Sequence, residues 1–321
     1  MRIRTAIAAA ATTAAMTALA TPAIADADQP SSPSAAAAPD IDVTEVQAHL
    51  SALQQIAEEN DGNRATGTTG YQASVDYVTE KLEAAGYTVD KQAFDTSVGE
   101  STNVTAELEG SDPARVVMLG GHLDGVQGGP GINDNGSGTA AQLATAVAFA
   151  KANPDPSVTI RFAWWGAEEQ GLLGSSHYVE SLDQTALDSI DVYLNFDMVG
   201  SPNGGYFVYE GDDTAETEFN EFFATKDIPT APTTVGGRSD HASFDNAGVP
   251  VGGLFSGADG TKTEEEAQQW GGTAGEPYDS CYHSACDTTD NIDATVLDNM
   301  SDAMSYTLWS LTSPEALDDA A

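Results

Sequence analysis

The chain has 321 residues, 40% of them hydrophobic, with 11 basic against 50 acidic side chains and a net charge of −39. That length allows one large α/β domain or two small ones, with a sizeable core. The charge opposes binding to nucleic-acid phosphates and anionic membranes; it predicts a well-solvated surface, with adaptation to salty surroundings as the sharper reading.

In chain order, residues 1–25 read as a secretory signal peptide. Arg2 and Arg4 lead, an uncharged Ala/Thr/Ile stretch follows, and Ala23-Ile24-Ala25 forms a small-x-small cleavage site. A membrane anchor is the weaker reading, because the stretch is alanine-rich and Pro22 interrupts it; no later run is long and apolar enough to span a bilayer. Residues 26–37 are rich in Pro, Ser and Ala, a linker or propeptide. A domain over 38–315 and a tail over 316–321 complete the expected organisation.

Within that domain, Val43, Val46, Leu50 and Leu53 predict an amphipathic helix over 43–58. Tyr71, Val75, Val78, Leu82 and Ala85 predict a second, stopped by Gly86. Strands are expected at 102–108 and 115–119, then a helix capped by Ser137 and running to about Ala150. The alternation of Val158, Ile160 and Phe162 predicts a strand that runs into Trp165. Further strands are expected at 192–196, 206–209 and 249–255, with helices over 215–225 and from Leu297 to Leu311. Residues 211–220 and 258–276 read as polar insertions. Alternating strands and helices imply an α/β fold: a mixed, mostly parallel sheet with helices on both faces. In such sheets ligands gather beyond the carboxyl ends of the strands.

The predicted strand ends carry the chemistry. Val116–Leu119 leads into Gly120-Gly121-His122-Leu123-Asp124, Val158–Trp165 into Gly166-Ala167-Glu168-Glu169, and Val192–Phe196 into Asp197. A glycine-rich loop over 131–138 holds Asp134, and His283 lies between Cys281 and Cys286. Histidine with carboxylates is the donor mixture expected of a hydrolytic zinc site. Asp124 is placed to accept a hydrogen bond from the His122 imidazole and orient it. In an exported chain the only two cysteines read as a disulfide, with free thiols the alternative. Each residue alone has a plainer reading: Asp134 as a turn residue, Asp197 as a cap, Glu168 and Glu169 as solvated charges. Their coincidence at strand ends is what favours a site. No G-x-S-x-G is present for a serine hydrolase, so His241 reads as structural, as do His49 and His177.

Together the motifs GGHLD (120–124), GINDNGSG (131–138), WWGAEEQGLLGS (164–175), NFDMVGS (195–201), GRSDHASF (237–244) and CYHSACDT (281–288) resemble those of the secreted bacterial di-zinc aminopeptidases, nearest to the streptomycete leucine-type branch. The resemblance runs from about Ala38 to Leu311 and implies a single zinc-exopeptidase domain. It implies one zinc held by His122, Asp134 and Asp197 and another by Asp134, Glu169 and His283, with Glu168 as general base toward a zinc-activated water. It nominates the Tyr282 hydroxyl as oxyanion donor. It assigns Glu168, Asp197 and the Arg238 carbonyl to the substrate's α-amino group, and the Arg238 guanidinium to the intermediate. Met198 and Phe255 become walls of an apolar pocket. A calcium ion is implied at Asp40, the Ile41 carbonyl, Asp298 and Asp302. The implied activity is hydrolysis of the N-terminal peptide bond of peptides and proteins, favouring Leu, Met and Phe, by a secreted monomer without nucleic-acid or membrane partners. A glutaminyl cyclase using one zinc and a dipeptidase-like or carboxypeptidase-like enzyme are the runner-up readings. A non-enzymatic acidic binding protein would explain the charge but not the motifs.

Overall fold

The computed structural model describes residues 38–152 and 156–312. The expected signal peptide, the linker and the tail over 316–321 lie outside the described residues. Helix α1 (Val43–Glu59) starts where the Asp42 carboxylate accepts the Thr44 N–H, and it buries Val46, Leu50, Leu53 and Ala57 along one face. Helix α2 (Thr69–Ala84) starts on Thr68 and buries Tyr71, Val75, Val78 and Leu82; Gly86, at φ 97°, turns the chain out of it. The apolar spacing of both helices is the spacing read from the sequence.

Strands β1 (Thr88–Thr96) and β2 (Gly99–Leu108) form an antiparallel hairpin at one sheet edge. The sequence reading has no β1, because its outward positions are mostly polar and only Phe94 is buried. Strand β3 (Asp112–His122) precedes α3 (Gly138–Ala152), followed by β4 (Val158–Trp165), α4 (Leu173–Ser181), α5 (Gln184–Asp188) and β5 (Ile190–Phe196). Then come β6 (Phe207–Tyr209), α6 (Asp213–Thr225), β7 (Ala231–Thr233), α7 (His241–Asn246), β8 (Val251–Phe255), α8 (Glu264–Trp270) and α9 (Ala294–Thr312). Most of the segment 211–220 expected as an insertion is α6, which Asp212 caps and which buries Phe219, Phe222 and Phe223. The second expected insertion, 258–276, contains α8, opened by a Thr263–Glu266 capping box.

The eight strands make one sheet in the order β1-β2-β4-β3-β5-β8-β6-β7. Its centre is parallel: β4 with β3, β3 with β5, and β5 with β8. Side chains of successive residues face opposite layers, so β3 sends Val117 and Leu119 into the larger core and Val116 and Met118 into the smaller one. Likewise β4 sends Phe162 and Trp164 one way, Ala163 and Trp165 the other. The larger core takes in residues of α1, α2, α3, α6 and α9; the smaller takes in Tyr178, Val179 and Phe244 from α4 and α7. Helices on both faces of a mixed, largely parallel sheet are the expected architecture. Among the described residues no helix is long and apolar enough to cross a membrane.

Candidate metal centre

The parallel strands end side by side, and their ends deliver the candidate ligands. Within β3, Gly121 permits the approach: a Cβ there would lie 2.4 Å from the Phe196 carbonyl oxygen of β5. That contact sets His122 beside Asp197, with Nε2 3.3 Å from Oδ1. After β4, Ala167 takes a left-handed φ of 57° and swings the chain into a single 3-10 turn that presents Glu168 and Glu169. Asp134 sits in the tight turn over 132–137 that leads into α3. Ser137 does not cap that helix as expected; its Oγ donates to the Asn133 carbonyl at 2.7 Å and accepts the Val199 N–H at 3.0 Å. His283, also left-handed at φ 55°, lies in the loop closed by the Cys281–Cys286 disulfide.

Five side chains from these separate segments converge as two overlapping triads. His122 Nε2 lies 3.2 Å from Asp134 Oδ1, completing a set with Asp197. His283 Nε2 lies 3.0 Å from Asp134 Oδ2 and 3.0 Å from Glu169 Oε2. Asp134 thus offers one oxygen to each triad. Glu169 Oε1 is buried with no hydrogen-bond partner, and His122, Asp134 and Glu169 stand close enough together to hold one ion. Glu168, 8% exposed, belongs to neither triad.

The electrostatics call for positive charge. Burial pulls the His122 imidazolium down, but Asp197, Glu168, Asp124 and Asp134 outweigh it and hold the group well above its ordinary value. Hydrogen bonds from His283 to Asp134 and Glu169 raise its imidazole to about 10. Burial raises Asp134 too, yet its bonds to the two histidines win and its carboxyl stays well below the usual range. Glu169 is pushed up to about 7, first by burial and then by Asp134. Burial lifts Glu168 well above its ordinary value, and Asp240, Asp197 and Glu169 add to this against His122. Four carboxylates share two histidines, so the cluster is short of positive charge. A donor set of nitrogen and carboxylate oxygen, with one bridging carboxylate, fits a pair of zinc ions.

Asp124 differs from its expected role. His122 Nδ1 lies 2.9 Å from the backbone carbonyl of Asp124, and the Asp124 carboxylate is 3.7 Å away. That carboxylate instead accepts the Glu168 N–H and the Thr66 hydroxyl, both at 3.1 Å. One residue therefore orients the imidazole through its peptide and the Glu168 turn through its side chain.

A cavity of about 720 Å³ opens over the triads, walled by Met198, Phe255 and Leu172 and bounded by Thr234 and Arg238. The Tyr282 ring stacks on His283 at 3.9 Å between centroids. At the rim Arg238 Nη2 approaches the Tyr282 hydroxyl at 3.4 Å, and Nη1 lies 3.4 Å from Asp259 Oδ1. The sequence reading has no role for Leu172 or Asp259: Leu172 is a left-handed residue between helical turns, outside any periodic pattern. It also omits Arg64, a fully buried guanidinium that donates to the Leu123, Gly131 and Pro130 carbonyls at 2.5, 2.6 and 3.0 Å. Asp240, fully buried within the quoted GRSDHASF motif, is pushed up to about 7 by burial. The three remaining histidines stay outside the cluster: His49 meets the Tyr77 hydroxyl, His177 stacks on Phe94 and His241 packs edge-on to Tyr209.

At the positions expected to hold calcium, Asp302 has partners within the protein. Asp302 Oδ1 accepts the Ile41 N–H at 3.0 Å, and Oδ2 is paired with the Lys226 ammonium at 3.0 Å. A lysine supplies the positive charge there, and Asp40, Asp298 and Asp302 form no three-carboxylate cluster among the described residues.

The sequence model of Peptidase family M28 matches residues 103–308. The chain is 55% identical over 284 residues to leupeptin-inactivating enzyme 1 of Streptomyces exfoliatus, covering 87% of this chain and 65% of that protein. It is 50% identical over 233 residues to an aminopeptidase of Pseudomonas aeruginosa, covering 68% of this chain and 43% of that one. The chain thus spans less than two thirds of the length of these relatives. Among solved structures, a zinc aminopeptidase from Bacillus subtilis superposes with a TM-score of 0.74 at 17% identity, over 86% of this chain and 96% of that one. At that identity the likeness concerns the fold.

Proposed function

The chain belongs to Peptidase family M28, and on that premise we propose that it is a di-zinc aminopeptidase. It removes the N-terminal residue of peptides and proteins and favours large apolar residues such as Leu, Met and Phe. The observation that carries this reading is the pair of donor triads sharing Asp134, with Glu168 beside them and outside both. Bound zinc supplies Lewis acidity, polarising the scissile carbonyl and making water acidic enough to attack at neutral pH. His122, Asp134 and Asp197 would hold one ion; Asp134, Glu169 and His283 would hold the other.

Glu168 takes a proton from the attacking water and returns it to the departing amine. Its burial supports that role, because a carboxylate raised by desolvation is the stronger base. The Tyr282 hydroxyl, held between the His283 ring and Arg238, donates to the oxygen that becomes negative. The Arg238 guanidinium adds charge at the same edge. Glu168, Asp197 and the Arg238 carbonyl receive the free α-ammonium, which restricts cleavage to chain ends. Met198, Phe255 and Leu172 offer the first side chain an apolar wall, which supports the preference for large hydrophobic residues. The disulfide and the signal-like residues 1–25 support export of a domain over 38–315, acting as a monomer outside the cell. The strongly acidic surface speaks against nucleic-acid or membrane partners.

The test is release of free amino acids from peptides starting with Leu, Phe or Arg, beside N-acetylated controls. It is run before chelation, after chelation and after zinc add-back. Release from Leu and Phe peptides that is lost on chelation and restored by zinc is expected; cleavage of the acetylated peptides would overturn the exopeptidase assignment.

A further inference from the structure

Two carboxylates near the metal cluster have no part in the reaction above. Asp279 and Asp287 are each 1% exposed, and they bracket the disulfide loop that carries His283. Asp287 reaches across to the turn that carries Asp134: its Oδ1 accepts the Asn133 N–H at 2.7 Å and its Oδ2 accepts the Asp134 N–H at 3.1 Å. Asp279 grips the same turn, with Oδ2 accepting from the Asn133 side-chain amide at 2.7 Å while Oδ1 accepts the Cys281 N–H at 2.7 Å. The Asn291 amide closes the arrangement, donating to Asp279 at 2.9 Å and to Asp287 at 3.2 Å. The chain on the other side fits as closely. The Ile132 N–H donates to the Asp287 carbonyl at 3.3 Å. A Cβ on Gly129 would come within 2.2 Å of the Ser284 carbonyl oxygen, so glycine alone lets the two loops touch.

We propose that Asp279 and Asp287 are positioning residues that lock the His283 loop onto the Asp134 turn, and so set the zinc affinity of the site formed by Asp134, Glu169 and His283. The inference rests on the two-zinc reading. Its physical basis is the unequal support of the five ligands. His122 ends β3, Asp197 directly follows β5, Glu169 sits in the short turn after β4, and Asp134 sits in a turn independently tied by Ser137 and Arg64. His283 alone comes from an irregular loop, and its side chain is 38% exposed. The disulfide closes that loop on itself but does not attach it to the rest of the site. Attachment falls to the two buried carboxylates, whose hydrogen bonds hold the loop in place before any ion arrives. Ordering that would otherwise oppose binding is then already complete.

The experiment measures zinc stoichiometry and both dissociation constants of the full chain by chelator competition, with thermal unfolding of the metal-free protein alongside. A His283→Ala variant identifies which constant belongs to the His283 site. Asp287→Ala is expected to weaken that ion about 10–100-fold and the other by no more than about threefold. Asp287→Asn, whose amide oxygen still accepts one of the two N–H groups, recovers part of the loss; if the alanine variant does not fold, the asparagine variant decides alone. An unchanged His283-site constant, or an equal fall in both constants, overturns the proposal. Wild-type protein that binds fewer than two zinc ions overturns the two-zinc reading itself, whereas two ions bound equally well by wild type and variant overturns only the role of the clasp.

Discussion

Arg64→Met tests whether a buried cation beneath the metal centre holds the loop between His122 and Asp134. The guanidinium is fully buried and donates to three backbone carbonyls, those of Leu123, Pro130 and Gly131. Methionine fills a similar volume but supplies no donor, so the Leu123 and Pro130 carbonyls lose their partner, while the Gly131 carbonyl keeps the Gly136 N–H at 3.0 Å. Each orphaned carbonyl costs about 1–3 kcal/mol, and the bond lost at Gly131 about 1 kcal/mol more. Part of that returns, because a desolvated charge is removed: burial lowers the Arg64 pKa to about 10, a cost of about 3 kcal/mol to the native state. At mid-range the net destabilisation is about 2 kcal/mol, which lowers the melting temperature by roughly 4–8 °C in a domain of this size. Denaturant unfolding of the metal-free protein measures it directly, since bound zinc would mask the loss by mass action. Arg64→Lys keeps the charge and reaches fewer of the three carbonyls, so it should fall between wild type and methionine. A loss below about 1 kcal/mol for Arg64→Met would refute the reasoning.

Glu168→Gln should lower kcat about 10²- to 10⁴-fold while leaving two zinc ions bound, because Glu168 belongs to neither triad; loss of an ion from the variant would instead make it a ligand. Reducing the Cys281–Cys286 bridge should cost about 2 kcal/mol of stability and lower turnover at full zinc occupancy, and unchanged kinetics would show that the bridge does not serve the site. His49, held to the Tyr77 hydroxyl at 2.7 Å, is lowered to about 4 by burial and by Lys81. Between pH 6.5 and about 4 the unfolded chain therefore binds a proton that the folded one does not, and stability falls with pH across that window by at most about 3 kcal/mol. His49→Phe should flatten the slope, and an NMR titration placing the native pKa near 6.5 would remove the effect. Calcium should not raise the melting temperature, because Lys226 already neutralises Asp302; Lys226→Met should lower stability by about 1–2 kcal/mol. A calcium-dependent rise in the wild-type protein would restore the calcium expectation.

The α1 and α2 faces, the buried strands β3, β4 and β5, and the glycine-flanked histidine and carboxylates at their ends were all legible in the sequence. Hydrophobic periodicity is local, and a strand followed by glycine and a charged residue marks a strand end without knowledge of its neighbours. The five candidate ligands were named by the family resemblance that their motifs carry. Strand β1 was not legible because it lies at an edge with little buried surface, and α8 was hidden in a polar stretch because it buries no residue of its own. What tertiary structure decided were the partners. Only the assembled sheet shows Asp124 orienting His122 through its peptide and the Glu168 turn through its carboxylate. Only the packed loops show Arg64 and Asp287 gripping backbone from segments far away in the chain. The same holds for Asp302, which meets Lys226, 76 positions away, where calcium was expected. Periodicity and motifs record what a residue's chain neighbours require, whereas the hydrogen bonds of a buried charge depend on which distant backbone the fold brings within reach.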